Sequence, residues 1–183
     1  MSVVHDTARA FMPYPWIDVP RAGTGPLSGL TFGVKDLFDV TGYPTSGGQP
    51  FLLAQSGIKT RHAVTVERLL QAGASFVGKT ITDELAFSMN GQNAHFGSPL
   101  NGAARDRISG GSSSGSAAAV SNSLCDFALG TDTGTALQVL VNGAWVAYNP
   151  AALPVIPAGG ELLVRVAVAQ DAVYEGAEAL QLK

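Results

Sequence analysis

A single cysteine, Cys125, occurs in the 183 residues, so no disulfide can form within the chain and the fold must be held by packing. Charge is also scarce: Asp, Glu, Lys and Arg make up 14% of the sequence, where about a quarter is usual. With hydrophobic residues at 46%, this points to a buried, globular core and argues against disorder. The net charge is −3 and no run of Lys or Arg occurs, which removes the electrostatic footing for a nucleic-acid or membrane-surface partner. No apolar stretch approaches the ~20 residues of a membrane helix. Met1 to Ala10 contains His5, Asp6 and Arg9 without an apolar segment, so no secretory leader is expected. These absences predict a reducing, cytoplasmic setting.

A further absence divides the chain. Residues 135–183 contain no Ser, no His and no Phe, whereas residues 1–134 hold nine of the eleven Lys and Arg and all three His. A compact domain seldom changes its vocabulary so sharply, which predicts two segments of different origin, 1–134 and 135–183. In the first, Leu30 to Val34 reads as a buried strand, and Thr60 to Ala72 as a helix capped by Thr60 and ended by Gly73. The helix has an apolar face of Ala63, Val66, Leu69 and Leu70. Ala74 to Gly78 reads as a strand, Ser116 to Leu124 as an Ala-rich helix, and Asp126 to Gly130 as a third strand. This alternation predicts an α/β fold with a mostly parallel sheet. In the second segment Leu137, Val139 and Val141 alternate, as do Leu162, Val164, Val166 and Val168. Asn142-Gly143 suits a two-residue hairpin turn, so this segment is expected to be all-β.

Three stretches of the first segment could carry chemistry. Gly110-Gly111-Ser112-Ser113-Ser114-Gly115-Ser116 leads into the Ala-rich helix, where free N–H groups favour negative charge. Taken alone it fits a flexible linker as well as a catalytic loop. Lys35 ends an apolar strand; burial would lower its proton affinity and make it a base, but a lone lysine there is more often a surface residue. Ala128 to Gly134 is a strand running into a Gly-containing turn that could present backbone N–H groups to an oxyanion.

Together these stretches resemble the amidase signature family, which hydrolyses amides with a Ser–cis-Ser–Lys triad. The resemblance runs from about Pro26 to Gly134. It includes Gly29 to Asp36, Gly78-Lys79-Thr80 with Asp83-Glu84, Asn101, the Gly110–Ser116 loop and Gly130-Thr131-Asp132-Thr133-Gly134. It implies an amidase-type mixed or parallel sheet with helices, Lys35 as the base, and Ser112 on a cis peptide bond as proton relay. It further implies the backbone of Thr133 and Gly134 as oxyanion hole, a small-molecule amide as substrate, and no metal or cofactor. The family pattern Gly-Thr-Asp-x-Gly-Gly-Ser ends on the nucleophile, but here Thr135 and Ala136 occupy the last two positions. Ser114 also stands where the family usually has Gly. Loss of such a nucleophile costs on the order of 10⁶ in turnover, so the chain as written is expected to be inactive unless Ser113 or Ser116 substitutes.

Asp171-Ala172-Val173-Tyr174-Glu175-Gly176-Ala177-Glu178 resembles a signature of Calx-β-type repeats in bacterial surface proteins. This resemblance implies part of a β-sandwich, whose acids are here read as solvated turn residues. Thr131 to Thr135 fits both patterns and is a candidate seam. The expectation is thus an incomplete amidase-like domain followed by a short all-β segment, a truncated chimera without evolved activity; a surface or adhesion module is the alternative.

Overall fold

The computed structural model describes residues 5–132 and, beyond them, the backbone of strands at 137–141, 144–147 and 164–166. The chain divides into two compact units, Met1–Thr133 and Gly134–Lys183. In the first, β1 (Thr31–Lys35), β2 (Ser75–Thr80) and β3 (Phe127–Leu129) form a parallel sheet in the order β2-β1-β3. Between β1 and β2 the chain forms α1 (Pro50–Ser56) and α2 (Val64–Gln71), and α3 (Ser114–Ser121) precedes β3. The fold class is α/β, as the strand–helix alternation implies.

The central strand β1 is covered on both faces. Phe32, Val34 and Phe76 join Val66 and Leu70 of α2, with Val40 and Tyr43, in one buried cluster. Phe32 stacks on Phe127 at 5.6 Å between ring centroids and meets Phe76 edge-on at 6.0 Å. The other face carries Val77 and Cys125 against Ala118 and Ala119 of α3. Helix α3 can lie close because its contacting residues are small. A Cβ added at Gly115 would fall 2.3 Å from the Ala10 carbonyl oxygen and 2.4 Å from the Ile81 nitrogen.

An irregularity in the β1–β2 pairing directs the polar ends of these strands. Phe32 pairs with Phe76 but Gly33 pairs with Gly78, which leaves Val77 as an extra residue in β2. Such a bulge reverses the facing of every later side chain. Lys79, opposite Val34, therefore turns to the α2 face. Thr80, opposite Lys35, turns to the α3 face, where its Oγ1 lies 2.7 Å from Ser116 Oγ.

Several element ends differ from the expectations. The helix expected from Thr60 starts at Val64, and its N-cap is Ala63, so Thr60 caps nothing. Residues 59–63 are instead bonded to 39–43: Gly42 N–H donates to Lys59 O at 2.9 Å, Lys59 N–H to Tyr43 O at 3.0 Å and Ala63 N–H to Asp39 O at 2.8 Å. The helix expected over 116–124 spans Ser114–Ser121, drawing two residues from the Gly/Ser loop. Helix α1 is an element beyond the expected ones, although Pro50 opens it and the Gln49 side chain caps it by accepting from Leu52 N–H at 2.8 Å.

In the second unit β4 (Leu137–Val141), β5 (Ala144–Ala147) and β6 (Val164–Val166) form an antiparallel sheet in the order β5-β4-β6. Val141 pairs with Ala144, the register a two-residue hairpin connection requires. Residues 171–178, which carry the Calx-β-like motif, lie outside the described residues.

Candidate active site

Parallel strands bring their C-terminal ends to one edge of the sheet, and loops from that edge build sites. Lys35 is the last residue of β1, Thr131 follows β3, and Ser112 and Ser113 lead into α3. Lys35 Nζ donates to Ser112 Oγ at 2.6 Å, to Ser113 Oγ at 3.1 Å and to Thr131 Oγ1 at 2.6 Å. Lys35 is 0% exposed and Ser112 is 2% exposed. The Gly111–Ser112 peptide bond is cis.

Backbone bonds fix the loop that carries Ser112. Gly111 N–H donates to Met89 O at 2.9 Å, and Asp83 N–H donates to Ser112 O at 3.0 Å. On the other side, Ser113 Oγ donates to Thr131 O and accepts from Thr131 N–H, both at 3.0 Å, tying the start of α3 to the exit of β3. The serine-rich stretch is therefore an ordered loop and not a linker.

The electrostatics separate two buried lysines on adjacent strands. Lys79 Nζ lies 2.7 Å from Asp36 Oδ1 with neither side chain exposed, and it also donates to Pro44 O at 3.1 Å and Thr45 Oγ1 at 3.0 Å. Asp36 in turn accepts from Tyr14 OH at 2.9 Å and from the Ser46 amide at 3.0 Å. Lys79 is thereby held against Asp36, while burial pulls its proton affinity down against the pull of that carboxylate. Among the described residues no carboxylate is ion-paired with Lys35. Burial pushes the Lys35 ammonium down from 10.5 to about 8, with the Asp83 carboxylate opposing. At pH 7 about a tenth of such amines are neutral, against well under a thousandth for an ordinary lysine. A neutral amine in contact with three hydroxyl groups can accept a proton from one of them.

Lys35 and Ser112 thus meet in the structure. Ser116 does not join them; its Oγ lies against Thr80 and donates to Leu129 O at 2.8 Å. Thr133 and Gly134, expected to form the oxyanion hole, and Ala136, at the expected nucleophile position, lie outside the described residues. Thr131 and Ser113 as contacts of Lys35, and Asp83 as support for the Ser112 loop, are roles that the sequence alone does not assign. Thr131 carries a signal, since it lies in the Gly-containing turn just past an apolar strand.

The family model described as Amidase matches residues 17–137. The chain belongs to the amidase family. It is 53% identical over 113 residues to amidase 1 of Arabidopsis thaliana, covering 62% of this chain and 27% of that protein. It is 47% identical over 122 residues to the chloroplastic outer envelope protein 64 of Arabidopsis thaliana, covering 67% of this chain and 20% of that protein. The crystal structure of a glutamyl-tRNA(Gln) amidotransferase subunit from Thermotoga maritima matches with a TM-score of 0.59 at 30% identity, covering 67% of this chain and 26% of that one. The chain therefore spans less than a third of the length of these relatives. Among the described residues no helix is long and apolar enough to cross a membrane.

Proposed function

We propose that this chain carries the lysine–serine proton relay of an amide-hydrolysing site for small carboxylic amides, and that it does not turn them over as written. The observation that carries the reading is the 2.6 Å contact between Lys35 Nζ and Ser112 Oγ, both buried. In the proposed chemistry neutral Lys35 accepts the Ser112 proton, and Ser112 accepts one from a nucleophilic hydroxyl as that oxygen bonds to the amide carbon. The C–N bond then breaks, the leaving nitrogen takes a proton back from Ser112, which Lys35 resupplies, and a water activated by the same relay cleaves the resulting ester to free the acid and restore the hydroxyl. The amides of Thr133 and Gly134 are the proposed donors to the oxyanion. Ala136 has no hydroxyl to start the sequence, so the relay has no nucleophile to serve. The relatives' names, an amidase and an amidotransferase subunit, support the substrate class.

The test compares the unmodified chain with the double variant Thr135→Gly, Ala136→Ser, using a fluorophosphonate probe and an aryl amide. The unmodified chain is expected to take no label. The double variant is expected to be labelled at residue 136, and to lose that label when Lys35→Met is added. Labelling of the unmodified chain at Ser112, Ser113 or Thr131 would overturn the inactivity, and a silent double variant would overturn the relay.

A further inference from the structure

The segment after β2 supports the Ser112 loop through one residue that takes no part in the proposed relay. Asp83 donates its N–H to Ser112 O at 3.0 Å, while its Oδ2 accepts from Gly91 N–H at 3.1 Å. Its carboxylate fills the space beside Gly111. A Cβ at that glycine would lie 2.3 Å from Oδ2 and 2.8 Å from Oδ1. Asp83 is 0% exposed, and its Oδ1 has no hydrogen-bond partner among the described residues. Burying a carboxylate oxygen without a partner is unfavourable, so its placement against Gly111 calls for a compensating role.

The groups around Lys35 indicate that role. Ser112 and Ser113 approach it from the start of α3 and Thr131 from the exit of β3, and all three are neutral. Asp36 and Lys79 neutralise each other on the opposite face of the sheet. Asp132 follows Thr131 and is exposed. Asp83 is left as the buried carboxylate whose field reaches Lys35.

We propose that Asp83 is a positioning residue for the Lys35–Ser112 pair: it holds the Gly111–Ser112 peptide against the end of β2 and supplies the buried negative charge that lets Lys35 keep a proton taken from Ser112. The proposal rests on the relay reading. Without Asp83 the amine would sit among hydroxyls in a desolvated site and hold its proton poorly; with Asp83 in ion-pair contact it would be drawn toward the carboxylate, as Lys79 is toward Asp36. A carboxylate nearby but out of contact leaves Lys35 able to gain and release a proton near neutral pH.

The test is a direct NMR titration of the Lys35 side-chain nitrogen, assigned by its loss in Lys35→Met, in the intact chain. The unmodified chain is expected to titrate at about 8. Asp83→Asn is expected to lower that midpoint by about one pH unit and to shift the Ser112 amide resonance. Asp83→Glu, which keeps the charge one methylene further out, is expected to recover most of the midpoint. An unchanged midpoint in Asp83→Asn overturns the proposal. Should that variant not fold, Asp83→Ser, which removes the charge and keeps the backbone N–H that donates to Ser112 O, takes its place, and an unchanged midpoint there overturns the proposal equally. A midpoint near 10.5 in the unmodified chain would overturn the relay reading itself, and the Asp83 proposal with it.

Discussion

Lys35 has an energetic signature that can be read without any substrate. Burial lowers its proton affinity from 10.5 to about 8, a difference of about 3 kcal/mol between its two protonation states. Below pH 8 the folded chain bears that cost in full, because the unfolded lysine holds its proton freely. Between pH 8 and 10.5 the unfolded state binds more protons than the folded one, so stability rises with pH in that window. Cys125, Tyr14 and Tyr43 are each pushed up by burial and act in the opposite sense above about pH 9. A comparison with Lys35→Met cancels them. The variant is expected to gain on the unmodified chain below pH 8 and to lose that advantage steadily up to about pH 10, as measured by urea unfolding at a series of pH values. A difference that does not vary with pH would mean that Lys35 is not desolvated. The lysine itself is legible in the sequence, because it ends an apolar strand. Its contrast with Lys79 is not, since that depends on Val77 standing out of register in β2 and turning Lys79 toward Asp36.

At the level of elements, β1 and β2 are legible because they read as short apolar runs, the first bounded by Ser28-Gly29 and Lys35-Asp36 and the second preceded by Gly73. The ends of α2 and α3 are not, because tertiary bonds override local signals. Thr60 is a good capping residue by type, but its neighbours on both sides, Lys59 and Ala63, are bonded to residues 39–43. Helix α3 shows a related conflict. Gly115 lies inside the helix, where alanine would ordinarily be preferred. Its missing side chain leaves room for the Ala10 carbonyl and the Ile81 backbone, which a Cβ would approach to 2.3 and 2.4 Å. Those atoms belong to backbone and cannot rotate away. Gly115→Ala is therefore expected to destabilise the chain by about 2–3 kcal/mol despite its gain in helix propensity. The exposed neighbour Ala117 provides the comparison, since Ala117→Gly is expected to cost about 1 kcal/mol from propensity alone. Urea midpoints from far-UV circular dichroism decide the order. A Gly115→Ala variant as stable as the parent would show that α3 can shift outward, and would weaken the placement of Ser112 and Ser113 at its start.

For the molecule as a whole, exposed apolar surface dominates expected behaviour in solution. Leu37, Leu52 and Leu85 are 36%, 40% and 55% exposed, and all three converge over Gly47, within 3.5–4.0 Å of where its Cβ would be. Phe87 follows Leu85 by two residues and is 91% exposed. Single exposed leucines are ordinary, but neighbours that form a continuous apolar surface favour association. Strand β3 (Phe127–Leu129) is an edge among the described residues, with half-buried side chains, though its three-residue length limits the pairing it offers. The chain is therefore expected to bind a hydrophobic dye in its native state and to associate as concentration rises. Leu85 offers a test that separates association from folding. It holds φ at +53°, a conformation unfavourable for leucine and better tolerated by asparagine. Leu85→Asn is thus expected to reduce both dye fluorescence and the average mass measured by light scattering, while leaving the melting temperature equal or higher. Unchanged association in that variant would clear the Gly47 patch and direct attention to β3. A drop in melting temperature with association unchanged would mean that Leu85 is a packing residue, whatever its exposure.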